Sequence, residues 1–420
     1  MLGAAGAGCS SSEAPSSSGE APVSDTDASS GTGSSEGEAS FEGVTLRFAP
    51  IWAADAESDL GREMIAEFQE KTGMTIEIEE VAGDEMKNKI AVDVAAGNEP
   101  DVWQFWPGAT SQEFAKAGVL ANVEEYFAKS KVIAKDHFSE SALAPCTFDG
   151  QLLAVPRMGA SAVLMINTEI FEQYGQKAPT TWDELKDVAQ KTTQGNVTGF
   201  AMCCLQNEEG TFNFTPWLWS TGATSYDINN DNGIKALTLV KDLVDAGSMS
   251  KEVINWTQGD VMNQFISGNI AMMVNGPWQV PTMREQAPDL NWDVTLLPKD
   301  AEYASCLGGE NFGVIDGDNV DAALDFLQFA TSKDEVASYI DDFGYIAARK
   351  DVAEGQFTDD ETMQKFTEEM QYAQPRGPHA QWPEISDALS LAVNESITGT
   401  STPSDAAAKA QSTIDGILAE

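Results

Sequence analysis

The sequence predicts an α/β protein of more than one domain, and three observations carry that prediction. Between residues 44 and 106 strand-like and helix-like segments alternate with short links, the pattern of a parallel sheet with helices on its faces. The chain has 420 residues, a length at which two domains are favoured over one. Apolar residues make up 42%, with 10 Trp and 19 Phe, enough for a sizeable core.

The elements can be justified in order. "VTLRFAPIW" alternates apolar side chains as a strand does, and "ESDLGREMIAEFQEKTG" sets Leu60, Ile65 and Phe68 on one helical stripe before Gly73 ends it. "MTIEIEEV" alternates again, "EMKNKIAVDVAAG" is a second helix, and "PDVWQFW" a short buried strand. "SQEFAKAG" reads as helical, and "VLANVEEYF" begins a surface element. In parallel sheets ligands collect beyond the carboxyl ends of the strands, where Trp52 and Trp106 lie. From "GQLLAVP" to "SAVLMIN" two apolar strand-like runs flank Arg157, Met158 and Gly159. "TTWDELKDVAQKT" is a helix with Thr181 as cap and Glu184 three residues on. The aromatics of "FNFTPWLWSTG" (residues 212–222) hold no clean period. "NDNGIKALTLVKDLVDAG" and "TQGDVMNQFISG" are capped helices, "WDVTLLP" a strand and "VDAALDFLQFATS" a helix. Three more helices follow at 358–371, 383–397 and 403–419.

Charge narrows the function. Sixty-seven acidic residues against 24 basic ones leave a formal net charge of −43. Such a surface repels nucleic acid and anionic membranes, which need basic patches to hold phosphates. It disfavours anionic ligands too, whereas neutral ones meet no such penalty. His137 and His379 are the only histidines, and no HExxH or CxxC spacing occurs, so neither a zinc site nor any other cofactor is expected. Cys146, Cys203, Cys204 and Cys306 can be paired or free, since their spacing fixes no bridge. "DINNDNG" (227–233) misses the glycine and glutamate of a calcium loop and reads as a turn and helix cap. No nucleophile elbow, phosphate loop or assignable carboxylate pair points to an enzyme.

The first residues, "MLGAAGAGC", end in an "AGC" triplet that looks like a bacterial lipoprotein processing site, with Cys9 as the lipidated residue. Gly6 occupies the position such signals usually give to Leu, and the charged leader region is missing. Residues 10–40 contain six acids, no base and almost nothing that packs, a flexible linker.

Trp52, Trp106, Trp217, Trp219, Trp256, Trp278 and Trp382 fall mostly near Gly, Pro or element ends. Each taken singly is as easily core as surface. Together they suit partly wet, partly apolar surfaces, because indole joins a large flat face to an N–H that wants a partner. A sugar ring, with its C–H face and hydroxyl rim, needs such a platform plus polar groups at the edge.

Five motifs in order then resemble one family. "GNEPDVWQFW" with "FAKAGVLANV", "GQLLAVP...VLMINTEIFEQYG...APTTWDEL", "FISGNIAMMVNGPW", "LGGENFGV" and "FLQFATSKD" are similar to the extracellular solute-binding protein family 1, the oligosaccharide-binding components of ABC importers, and to its maltose and multiple-sugar group. The resemblance covers nearly all of residues 44–418. It implies an α/β, two-lobed periplasmic-binding-protein-like fold with a hinged interlobe cleft. Lobe 1 would comprise 41–157 plus 312–345, lobe 2 162–305 plus 346–420, and the hinges 157–161 and 306–311.

By position, the resemblance makes Trp106, Phe212, Trp278 and Trp382 aromatic ligand contacts. The family's polar partners are absent: Ala109 and Thr110 replace an Asp-Arg pair, and Ala160 a hinge glutamate. Arg157, Asp55, Glu310 and Arg376 are the candidates to substitute for them, which moves the expected ligand away from maltose while keeping an oligosaccharide. The implied partners are that ligand and the permease subunits of an ABC transporter, met by a monomer tethered through its lipid to the extracellular face of a bacterial cytoplasmic membrane. The competing readings are a receptor of the same fold for a polyol or glycerol phosphate, and a carbohydrate-active enzyme.

Overall fold

Alternating apolar positions at Leu46 and Phe48, with continuous burial from Val102 to Phe105, produce three neighbouring strands: β1 (Thr45–Ala49), β2 (Thr75–Ile78) and β3 (Val102–Phe105). β1 pairs in parallel with both of the others, and helices Asp55–Thr72 and Met86–Ala96 make the crossovers. The computed structural model describes residues 41–52, 55–80, 86–107, 114–130, 132–343, 345–377, 379 and 381–419. The expected linker with Cys9, the positions Ala109 and Thr110, and the side chain of Asp55 lie outside the described residues.

A short hairpin, β4 (Thr147–Phe148) and β5 (Gln151–Leu152), leads into β6 (Val155–Ser161). β6 runs through Arg157, Met158 and Gly159, which the sequence had suggested as a break between two strands. Pairing on both edges accounts for the difference: β10 (Ser305–Val314) lies antiparallel along one edge and β11 (Ile346–Ala347) along the other. After Ala162 the chain enters β7 (Val163–Asn167), the centre of a second, antiparallel sheet with β8 (Met272–Asn275) and β9 (Trp292–Thr295). The first sheet has the order β11-β6-β10-β3-β1-β2, with β12 (Ala373–Gln374) parallel to the start of β10. It is therefore parallel across β1–β3 and at the short β10–β12 pair, and antiparallel elsewhere. β6 and β10 pass from one sheet to the other, so their direction is set by that crossing and not by a strand–helix–strand unit.

Two large apolar clusters result. One gathers buried residues from Leu46 to Val155 and from Phe312 to Ala348 around the first sheet. The other gathers Ala162 to Cys306 and Met363 to Ile414 around the second. This is a two-lobed α/β molecule. A smaller cluster, including Met158, Ala160, Tyr339 and Tyr345, lies on the crossing strand β6.

Several local expectations can be compared directly. Thr181 caps its helix by accepting from the Glu184 N–H at 3.3 Å, while the Glu184 carboxylate reaches back to Thr180 instead of the cap. Asn230 caps helix Asp231–Asp245, the turn-and-cap role read for "DINNDNG". The aperiodic run 212–222 is mostly helical: helix Glu208–Ser220 carries Pro216 inside it and is buried at every residue from Gly210 on. A helix enclosed on all sides has no polar face, so no amphipathic period marks it. Cys146, Cys203, Cys204 and Cys306 are all buried and free.

Candidate functional site

Aromatics of the second cluster lie beside the crossing strands β6 and β10. Gly276 and Pro277 end β8 and start a tight turn that carries Trp278. The indole packs against Gly276, where an added Cβ would stand 2.1 Å from its six-membered ring. Trp278 stays half-buried and packs against both the lobe 2 core and the small cluster of Tyr339 and Tyr345. Phe212 meets it edge-on, with centroids 5.6 Å apart, and Phe212 in turn faces Gly308 of β10, where an added Cβ would sit 3.4 Å away.

Around this pair lie two polar networks. On the lobe 2 side, Arg376 Nη1 donates to Glu208 Oε1 at 2.6 Å, and its guanidinium stacks 4.9 Å from the Phe212 centroid. Trp382 Nε1 donates to the same carboxylate, 3.0 Å from each oxygen. On the lobe 1 side, Glu57 and Glu310 are two buried carboxyl groups hydrogen-bonded to each other. Gln104 Nε2 donates to Glu310 Oε2, and Arg157 Nη1 stands 4.0 Å from the same oxygen. Tyr345 donates to Glu57 at 3.4 Å, and Tyr339 also interacts with Glu57. Arg157 is 1% exposed, its guanidinium 3.6 Å from the Tyr339 centroid and Nη2 3.4 Å from Met64 Sδ.

Electrostatics follow from this burial. Desolvation, and then the Glu57 charge beside it, push Glu310 well above the usual carboxylate range, while Arg157 and Gln104 pull it back. The hydroxyls of Tyr339 and Tyr345 are raised by burial and by the same two carboxyls, so both remain donors. Burial pushes the Cys306 thiol up to about 11, with Arg376 opposing.

The backbone of β10 is special at this point. Gly309 has φ +117°, and a Cβ there would stand 2.2 Å from the Met158 carbonyl oxygen, so only glycine fits. The β6–β10 register shifts between Glu310 and Asn311, a bulge that re-aims the side chains after it.

Placement separates the predicted site residues. Phe212, Trp278, Arg376 and Trp382 come together around Glu208 and the start of β10, and Arg157 and Glu310 meet in the lobe 1 network. Trp52 and Trp106 are half-buried beyond the ends of β1 and β3; the Trp52 ring also rests on Gly61, with Arg62 5.3 Å above it. Trp256 is half-buried against the lobe 2 core. Trp217 and Trp219, by contrast, are core: 2% and 7% exposed, Trp217 against Trp182 and Phe200, and Trp219 bonded to Ser225. Trp382 is wholly enclosed, so it has no face open to a ligand in this conformation, and its N–H is taken by Glu208. Arg157 is likewise enclosed in the lobe 1 network. The sequence reading missed Glu57, Gln104, Glu208, Tyr339 and Tyr345. Their partners are distant in sequence, 288 residues for Tyr345 and Glu57, and no local pattern marks them.

Several buried polar atoms have no hydrogen-bond partner among the described residues: Gln104 Oε1, Arg157 Nε, Ser161 Oγ, Asn213 Oδ1, Asn311 Nδ2 and Arg376 Nε. They belong to β3, β6 and β10, to the helix that packs on β10, and to the segment just after β12. No group of three or more His, Cys, Asp and Glu among the described residues is arranged to hold a metal. None of the described helices is long and apolar enough to cross a membrane.

Comparisons with known proteins agree with this architecture. The family described as bacterial extracellular solute-binding protein matches residues 63–368. A binding protein of Brucella abortus is 26% identical over 364 residues, covering 81% of this chain and 86% of its own length. The maltotriose-binding protein of Pyrococcus abyssi is 23% identical over 73% of this chain and 68% of its own. A glycerol-3-phosphate-binding periplasmic protein of Yersinia enterocolitica is also 23% identical, over 71% and 73%. Among solved structures, an ABC transporter solute-binding protein from Thermotoga lettingae, bound to α-D-tagatose, superposes with a TM-score of 0.83 at 25% identity, covering 89% of this chain and all of that one. With its two lobes, its crossing strands and a family match over most of its length, this chain belongs to the bacterial extracellular solute-binding proteins.

Proposed function

We propose that this protein captures an oligosaccharide between its lobes and delivers it to the permease of an ABC importer. The observation that carries the reading is Trp278, packed on Gly276 and braced by Phe212 between the lobe 2 core and the small cluster on β6. A flat aromatic face there suits the C–H face of a sugar ring, with Trp52 and Trp106 at the strand ends of the opposite lobe. The buried polar atoms without partners suit its hydroxyls, since each is costly until it is paired. The lobes are taken as 41–157 with 312–345 and 162–305 with 346–420. Closure over the ligand would create the surface the permease reads. A lipid on Cys9 would tether this monomeric receptor to the outer face of the membrane, with residues 10–40 as its leash.

The glycerol-phosphate-binding relative favours a second reading, a smaller solute such as glycerol phosphate or a polyol in the same cleft. One experiment separates the two. The full chain is screened by thermal shift against malto-, xylo-, fructo-, galacto- and manno-oligosaccharides, with glycerol 3-phosphate and polyols beside them. A ligand of the folded form stabilises it by about 2.7 kcal/mol at a hundredfold excess over Kd. A rise in Tm with one glycan series supports the proposal, and a rise only with the phosphate or a polyol replaces it with the second reading.

A further inference from the structure

Glu208 opens the helix that carries Phe212, and it lies between solvent and core. Its side chain is 29% exposed, whereas that of its partner Arg376 is 5% exposed. The carboxylate holds two groups at once: Arg376 Nη1 at 2.6 Å and Trp382 Nε1 at 3.0 Å. Trp382 is wholly enclosed, so this carboxylate position is fixed from behind. Arg376 is thereby pinned with its guanidinium over Phe212, the ring that braces Trp278. Its Nε remains buried and without a partner among the described residues. Cys306, on the crossing strand β10, feels both charges.

We propose that Glu208 is the charge-specificity residue of this site, neutralising Arg376 in place so that the guanidinium serves a neutral hydroxylated ligand and not an anion. The inference rests on the reading of this face as the wall of the ligand cleft. An unpaired, buried guanidinium beside an aromatic ring would bind a phosphate or carboxylate by a charge-assisted bond. With Glu208 already in contact, the arriving anion meets a carboxylate beside the arginine. It gives up its hydration for no net opposite charge, and the pairing no longer offsets the desolvation. A sugar hydroxyl has no such charge to desolvate, and its oxygen can accept from the spare Nε–H. Glu208 does not touch the ligand in this scheme. It acts through Arg376 and is a positioning residue.

The test is a ratio of affinities in the full-length protein. Isothermal titration compares neutral oligosaccharides with uronate-capped counterparts of the same length and with glycerol 3-phosphate, in wild type, Glu208→Gln and Arg376→Gln. Glutamine keeps an acceptor for Arg376 and Trp382 but removes the charge. Wild type is expected to favour the neutral ligand. Glu208→Gln should shift the ratio toward the anionic one by about tenfold or more, the scale of a hydrogen bond to a charged group, and Arg376→Gln should shift it the opposite way. Should Glu208→Gln not fold, the Arg376→Gln shift decides. Binding of neutral sugar with an unchanged ratio in the folded variants would overturn the proposal and leave the receptor reading standing. A wild-type preference for the anionic probes would overturn it as well. If no probe bound any of the proteins, the receptor reading would fall and take the proposal with it.

Discussion

Arg157→Met tests the lobe 1 network most severely. The guanidinium is enclosed, 4.0 Å from Glu310 and 3.6 Å from the Tyr339 ring, and two buried carboxyls face it. Methionine fills much of the same volume, so the loss isolates the charge. Removing one partner of a buried pair leaves the other uncompensated, at a cost of about 3–5 kcal/mol. That is a large share of the roughly 5–15 kcal/mol that holds a domain together. The effect should depend on pH, and its sign follows from Glu310. Burial and Glu57 raise the folded-state pKa of Glu310 above its unfolded value. The stability it contributes is therefore complete below the unfolded value and lost as pH rises through the folded one. Arg157 pulls that folded value down, so without it the loss, which starts at the same unfolded value, continues to higher pH and grows. Urea denaturation at pH 5 and pH 8, with amide exchange in β3, β6 and β10 to isolate this lobe, should show a smaller penalty at the lower pH. An equal penalty at both, or one below about 1 kcal/mol at pH 8 where a broken buried pair should cost several times that, would refute the reasoning.

Other outcomes follow from the same geometry. Glu310→Gln removes the raised acid, and its stability should lose the decline expected of the wild type on going from mildly acidic to alkaline pH; an unchanged profile by thermal denaturation would assign any such decline elsewhere. Gly309→Ala forces a Cβ to within 2.2 Å of the Met158 carbonyl at φ +117°; strain of this kind costs about 1–3 kcal/mol before the clash is added, and a Tm equal to wild type would mean that the β10 backbone relaxes freely. Trp382→Phe removes the N–H that Glu208 accepts, and chemical denaturation should register about 1–3 kcal/mol, the penalty for an unmade bond at a half-sheltered polar site.

How much of this was legible in the sequence depended on whether a residue's role was local. Helices with one wet face announced themselves, Asp231–Asp245 by period and cap and Val320–Ala330 by period alone. Helix Glu208–Ser220 did not, because it is wrapped on all sides, and the burial that hides its period also turned Trp217 and Trp219 into core residues. The Gly-Pro-Trp turn was visible because it needs a glycine under the indole, a local requirement. Trp382 carries the same side chain as Trp278, yet lies at full depth, a difference set by Tyr226 and Glu208 more than 150 residues away. The polar networks were the least legible. Glu57, Gln104, Arg157 and Glu310 come from four separate elements; the mixed order of the first sheet brings the last three together, and helix Asp55–Thr72 adds Glu57.

The central claim is that Trp278 is the platform on which the sugar rests. It is tested most directly by titrating the glycan that gives the largest thermal shift into wild type and Trp278→Ala. Loss of the ring should weaken binding at least about tenfold, the scale of a buried aromatic anchor, with the fold intact by circular dichroism. An unchanged affinity would mean that the ring only packs between the lobes and that the ligand rests elsewhere.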